Sequence, residues 1–223
     1  MVGRPLATVK TVAVSRFPLS LILLLGLCIP ARSHELPDGE IERRVQVSVK
    51  RDGVLIEYSL GMNETTLEAE LRKLGWKPAP TVSDKWNQYK KLVASSLAKN
   101  IQVTINGEEQ PVKPLRAVYS GWSHRHLSCL VRVDAKLTDP RAAITVTDRN
   151  FLDTPGKYRL AMKARRGAKL EDSSVPLLVS RAQPVELVKL SKKEKHSATR
   201  AAGTFVFAEI GKRSPENGEI EVD

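Results

Sequence analysis

The chain has 223 residues, 36 Lys+Arg against 25 Asp+Glu, and a formal charge of +11, which fits a globular protein of one or two domains. Its 41% hydrophobic content excludes a wholly disordered chain. An aromatic content of 5% is thin for a protein that holds single-stranded nucleic acid by base stacking. The charge excess therefore needs another account.

Part of it belongs to the first 33 residues. Arg4, Lys10 and Arg16 occur there without an acid, Phe17 to Ile29 is apolar, and Ala31 and Ser33 are small residues placed before a cut after Ser33. This is the layout of a secretory signal peptide. The apolar core is shorter than the roughly 20 residues of a membrane-spanning helix. The bulky Leu27 before Cys28 argues against lipid attachment, so Cys28 is expected to leave with the signal. Removal of residues 1–33 takes Arg4, Lys10, Arg16 and Arg32 away and leaves 190 residues with a charge of +7. The sequence thus predicts an exported protein, periplasmic or extracellular. One cysteine, Cys129, remains, which excludes an intramolecular disulfide and a thiolate-rich metal site.

In chain order, Val45, Val47 and Val49 alternate with polar residues, Asp52-Gly53 supplies a turn, and Val54 to Leu60 resumes as a strand. This predicts a hairpin. Thr65 to Leu74 reads as a helix with Thr65 and Glu68 as a capping box, Leu67, Leu71 and Leu74 on one face, and Gly75 as terminator. A Pro-rich link, Lys77 to Pro80, leads to a second helix, Asp84 to Lys99, capped by Ser83 or Asp84, with Trp86, Tyr89, Val93 and Leu97 on one face. These helices form an insert at 63–99. Strands are then predicted at Ile101 to Ile105 before the Asn106-Gly107 turn, Leu127 to Val133, Ile144 to Thr147, Tyr158 to Lys163, Val175 to Val179, Val185 to Leu190 and Thr204 to Glu209. Lys192 to Arg200 reads as an exposed basic connection and Ser214 to Asp223 as a loose acidic tail, so 191–223 follows the main domain as connection, terminal strand and tail. Many short strands with a single helical interlude predict a mainly β fold, an immunoglobulin-like antiparallel β-sandwich over 34–190.

Three stretches carry a resemblance: His34-Glu35-Leu36-Pro37, Ile41 to Gly75, and Ile144 to Gly167 with its Asp148-Arg149-Asn150-Phe151 run. Together they resemble the exported N-terminal domain that precedes the membrane helices of nickel/cobalt transporters related to hydrogenase/urease accessory permeases. The resemblance spans most of residues 34–170. It implies metal handling and an envelope membrane transporter as partner, here without the permease.

The residues supply candidate ligands of their own. A cut after Ser33 makes His34 the first residue, where imidazole and α-amine can chelate one metal; a cut after Ala31 makes it the third, suited to Cu(II) or Ni(II). On a strand, His124 and His126 share a face, while Cys129 falls on the opposite face with Leu127, Val131 and Val133 and belongs to the core. A third ligand would come from His34 or from an acid of the Asp148 to Asp153 loop. That loop also offers oxygens to a hard cation, or simple Asx turns with Phe151 buried. The metal set is therefore His34, His124 and His126, with copper, nickel or cobalt as the ion. His196, among lysines, reads as a solvated surface residue.

Enzyme signatures are missing. Gly121 to Arg125 imitates a nucleophile elbow but has Arg where glycine belongs, and there is no phosphate-cradling loop or metalloprotease helix. Arg43-Arg44, Lys163 to Arg166 and Lys192 to Lys195 read as solvated surface with weak attraction for an anionic membrane. Export and the lack of a recognition motif argue against nucleic acid. Asn63-Glu64-Thr65 is a glycosylation sequon in a eukaryotic source. The sequence thus reads as a non-catalytic exported metal-binding or metal-presenting protein, with a metal-independent protein-interaction module as the alternative.

Overall fold

The computed structural model describes residues 36–119 and 126–208, with the backbone alone for Tyr119 and His126. Two packed sheets and an inserted helix pair form a mainly β sandwich. The strands are β1 (Glu42–Lys50), β2 (Gly53–Gly61), β3 (Ile101–Ile105), β4 (Glu108–Gln110), β5 (Lys113–Tyr119), β6 (His126–Asp134), β7 (Arg141–Asp148), β8 (Lys157–Ala164), β9 (Ala168–Ser173), β10 (Val185–Glu186) and β11 (Arg200–Phe207). The six-stranded sheet runs β10-β8-β1-β2-β6-β5, and the five-stranded sheet runs β4-β3-β7-β11-β9.

The predicted hairpin is the centre of the first sheet. Val49 pairs with Val54 across the turn, and Val45, Val47, Val49, Ile56, Tyr58 and Leu60 all lie on the buried face. Gly53 is obligatory there: its φ is +139°, and a Cβ would lie 2.1 Å from the Val133 carbonyl oxygen. Along β6, Leu127, Cys129, Val131 and Val133 are fully buried, as the alternation predicts.

The sandwich is not wholly antiparallel. β1 pairs parallel with β8, Arg43 opposite Tyr158 through Val49 opposite Ala164. β11 lies inside the second sheet between β7 and β9, so the sandwich extends beyond residue 190.

The insert comprises α1 (Glu64–Lys73) and α2 (Val82–Lys99). Leu67 and Leu71 of α1 and Trp86, Tyr89, Val93 and Leu97 of α2 are buried, as predicted. The caps differ from the expected ones. Asn63 caps α1, accepting from the Thr66 amide at 2.9 Å, and Thr81 caps α2, accepting from the Asp84 amide at 3.1 Å. A third helix, α3 (Lys192–Ala198), stands where an exposed connection was expected. Ser191 and Glu194 form its capping box, which supplies the missing amide partners of so short a helix.

Val175 to Val179 and Val185 to Leu190 are not the expected full strands. Residues 179–181 and 187–189 form 3-10 turns, and only Val185–Glu186 joins the sheet. Pro176 and Pro184 lack the amides that continued pairing needs. The segment instead crosses the outer face of the first sheet. Gln46 donates to the Leu177 carbonyl at 3.3 Å and accepts from the Val179 amide at 3.2 Å, and is buried beneath this segment.

Candidate functional site

One end of the sandwich gathers the chain entry, the start of β6 and the β7–β8 loop. The strand register fixes a row: His126 stands opposite Gly61, and Gly61 opposite Glu42 on the next strand. Neighbouring strands lie about 4.8 Å apart. Beyond Gly61, Asn63 reaches back to the first described residues, donating to the Leu36 carbonyl at 2.9 Å and to Asp38 Oδ1 at 2.5 Å. The Gly39 amide donates to Thr66 Oγ1 at 2.8 Å, and the Ile41 amide to the Pro155 carbonyl at 2.9 Å. The chain entry is thus tied to α1 on one side and to the β7–β8 loop on the other. Because Asn63 Nδ2 already serves two acceptors, glycan attachment at this sequon would remove one N–H and break one of the two bonds.

The predicted ligands are only partly placed. His34 and His124 lie outside the described residues, and for His126 the register position alone is given. The signal peptide at 1–33 and the Gly121 to Arg125 motif also lie outside them. Among the described residues, no group of three or more His, Cys, Asp or Glu side chains could hold a metal ion. Cys129 is buried and free, and burial pushes its thiol up to about 12, which removes it as a thiolate ligand at neutral pH.

The β7–β8 loop already holds a cation, one that belongs to the chain. Arg43 follows the inward parity of Val45, Val47 and Val49 and is fully buried, contrary to the surface position expected for Arg43-Arg44. Its guanidinium donates to the Phe151 carbonyl, to the Thr154 carbonyl at 3.1 Å and to the Gly156 carbonyl at 3.0 Å. It also lies over the Tyr158 ring, 5.8 Å from the centroid. A planar fork of N–H donors suits several converging carbonyls, and the backbone oxygens of this loop serve Arg43, while the side chains considered for a hard cation, Asp148, Asn150 and Asp153, are engaged with other partners. Gly156, at φ +110°, permits the approach of Ile41, whose carbonyl oxygen would lie 2.4 Å from an added Cβ.

Behind the loop, Asp148 is buried and accepts from Tyr58 Oη at 2.8 Å, the Asn150 amide at 2.9 Å and Asn150 Nδ2 at 2.8 Å. This is the expected Asx turn, with Phe151 half-buried at φ +52°. Burial raises the Asp148 carboxyl above its ordinary range despite these bonds. Burial, reinforced by the Asp148 charge, raises the Tyr58 and Tyr158 phenols well above theirs. Burial lowers Arg43. The other acid of the loop, Asp153, is exposed and pairs with Lys195 at 2.6 Å. Sequence reading missed this buried cluster, although parity along β1 and β2 was the signal that places Arg43 and Tyr58 inside.

Comparison with family models, with curated proteins and with solved structures finds no match. Among the described residues no helix is long and apolar enough to cross a membrane.

Proposed function

We propose that the mature protein binds a transition metal ion of the copper, nickel or cobalt class through its N-terminal segment and presents it at the cell envelope, without catalysing a reaction. The observation that supports this reading is the anchoring of Leu36 by Asn63, two residues beyond the Gly61 that faces His126. His34 is two residues from Leu36, a reach of about 7 Å of extended chain. His126 and the adjoining His124 supply the imidazole chemistry for an ion bound at the terminus. An envelope transporter is the partner to which such an ion would pass.

The test is calorimetric titration of the exported, N-terminally sequenced protein with Cu(II), Ni(II) and Co(II). One of these ions is expected to bind at one-to-one stoichiometry, and His34→Ala to weaken binding by tenfold or more. His126→Ala and Asn63→Ala are expected to weaken it less, the latter by releasing the tether. Absence of binding, or an affinity unchanged by His34→Ala, overturns the reading.

A further inference from the structure

The outer face of the first sheet carries a groove of about 440 Å³ near the β1–β2 turn. Leu55, Leu115 and Leu130 line it with Lys50, Arg116, Arg132 and the carboxylate of Asp52; Arg132 is also paired outside the groove with Asp134 at 2.5 Å, which leaves Lys50 and Arg116 as the main cations for an incoming acid. Leu115 is 51% exposed, so the apolar floor faces water. Asp52 is shared, lying 3.7 Å from Lys50 and 3.6 Å from Arg132. The groove therefore suits an occupant that combines carboxylates with branched apolar side chains.

The chain contains such a segment. Residues 214–223, Ser-Pro-Glu-Asn-Gly-Glu-Ile-Glu-Val-Asp, carry four acids and no base, with Ile220 and Val222 alternating with Glu219, Glu221 and Asp223. They lie outside the described residues, but their point of departure is given. Arg51, in the same turn as Asp52, donates to the carbonyl of Ala208, the last described residue. From Ala208 the twelve residues to Ile220 can span up to about 40 Å, so the tether does not limit access. We propose that residues 216–223 occupy this groove of their own chain, with Ile220 and Val222 against the leucines and the acids against Lys50 and Arg116. A covalently linked segment meets its site at an effective concentration in the millimolar range, so modest contacts suffice.

The experiment is a disulfide trap in the full chain, in a Cys28→Ser background; Cys129 is buried and does not compete. Ile220→Cys is combined either with Leu115→Cys in the groove or with Lys169→Cys on β9, which pairs with β11 beside the exit. Tethering alone would favour Lys169, whereas the proposal expects faster intrachain closure at Leu115. Adding Lys50→Glu and Arg116→Glu, or high salt, is expected to slow the Leu115 closure about tenfold by removing or screening the attraction. Glu219→Lys with Glu221→Lys should slow it equally in the unaltered groove and restore closure in the charge-reversed one. Closure favouring Lys169, closure insensitive to all these charges, or disulfides formed only between chains would overturn the proposal.

Discussion

Arg43 and Lys85 are both withdrawn from water, at 0% and 6% exposure, yet they are held by opposite means. Arg43 lies between the sheets, directs its guanidinium at three backbone carbonyls, and makes no ion pair among the described residues. Lys85 lies at the start of α2 and meets Glu64 and Glu68 of α1 at 2.5 Å each. Those carboxylates remain partly open to solvent, 48% and 27% exposed. The first cation closes a loop onto a strand, and its removal leaves buried acceptors behind. The second joins two helices, and its removal leaves carboxylates that water can still reach. Location of the partners, more than burial of the cation, sets the expected cost.

The largest effect expected from this contrast is that of Arg43→Met. It strips three carbonyls of their donor, at a cost of about 1–3 kcal/mol for each acceptor left buried without a partner. A urea midpoint lowered with unchanged slope would show this; a change below about 1 kcal/mol, the scale of a surface pair, would remove the distinction.

Asp148→Asn comes next and has a pH signature. The folded carboxyl titrates above its unfolded value because burial disfavours its charge. Its contribution is thus fully present below the unfolded value and is lost as pH rises through the raised folded value. The wild-type protein is expected to lose stability relative to Asp148→Asn across that window, starting near the ordinary carboxylate value of about 4. Parallel stability curves for the two proteins between pH 3 and 8 would contradict it.

Lys85→Met is expected to have the smallest effect, a lower melting temperature by less than Arg43→Met gives. Hydrogen bonds to Glu64 and Glu68 raise Lys85, and that to Lys85 lowers Glu68. The contribution of the lowered Glu68 is present above its unfolded value and disappears as pH falls through the lowered one. Melting temperatures of wild type and variant should therefore converge in acid, and a difference that persists there would show that packing of the lysine stem dominates.

Much of the architecture is legible from short-range rules. The valines of β1, the Asp52-Gly53 turn and the leucine face of α1 each announce an element whose burial follows from period alone. What escaped needed information from afar. Thr65 and Glu68 have capping-box spacing, but Asn63 takes the cap because it also binds Leu36 and Asp38. Ser191 and Glu194 carried a capping signal in plain view, obscured by the lysines around it. β9, over Ala168–Ser173, has little apolar alternation and forms because β11 offers an open edge. Of the candidate site, the core placement of Cys129 was legible from parity; the cluster around Arg43 was not, because the composition of Arg43-Arg44 suggests surface while its position in the alternation dictates interior.

The parallel pairing of β1 with β8 has a consequence for the order in which the chain can mature. Arg43 meets Tyr158 across 115 positions of sequence, and the Gly156 carbonyl it needs lies just before. During synthesis from the amino end, the hairpin of β1 and β2 therefore exists with one flank unpaired and an arginine without its acceptors until β8 has emerged. Such long-range closure slows folding and leaves a strand edge open meanwhile. Nascent-chain lengths ending before residue 157 are consequently the ones that would need protection from aggregation, while those reaching Ala164 can first seal the centre of the sheet.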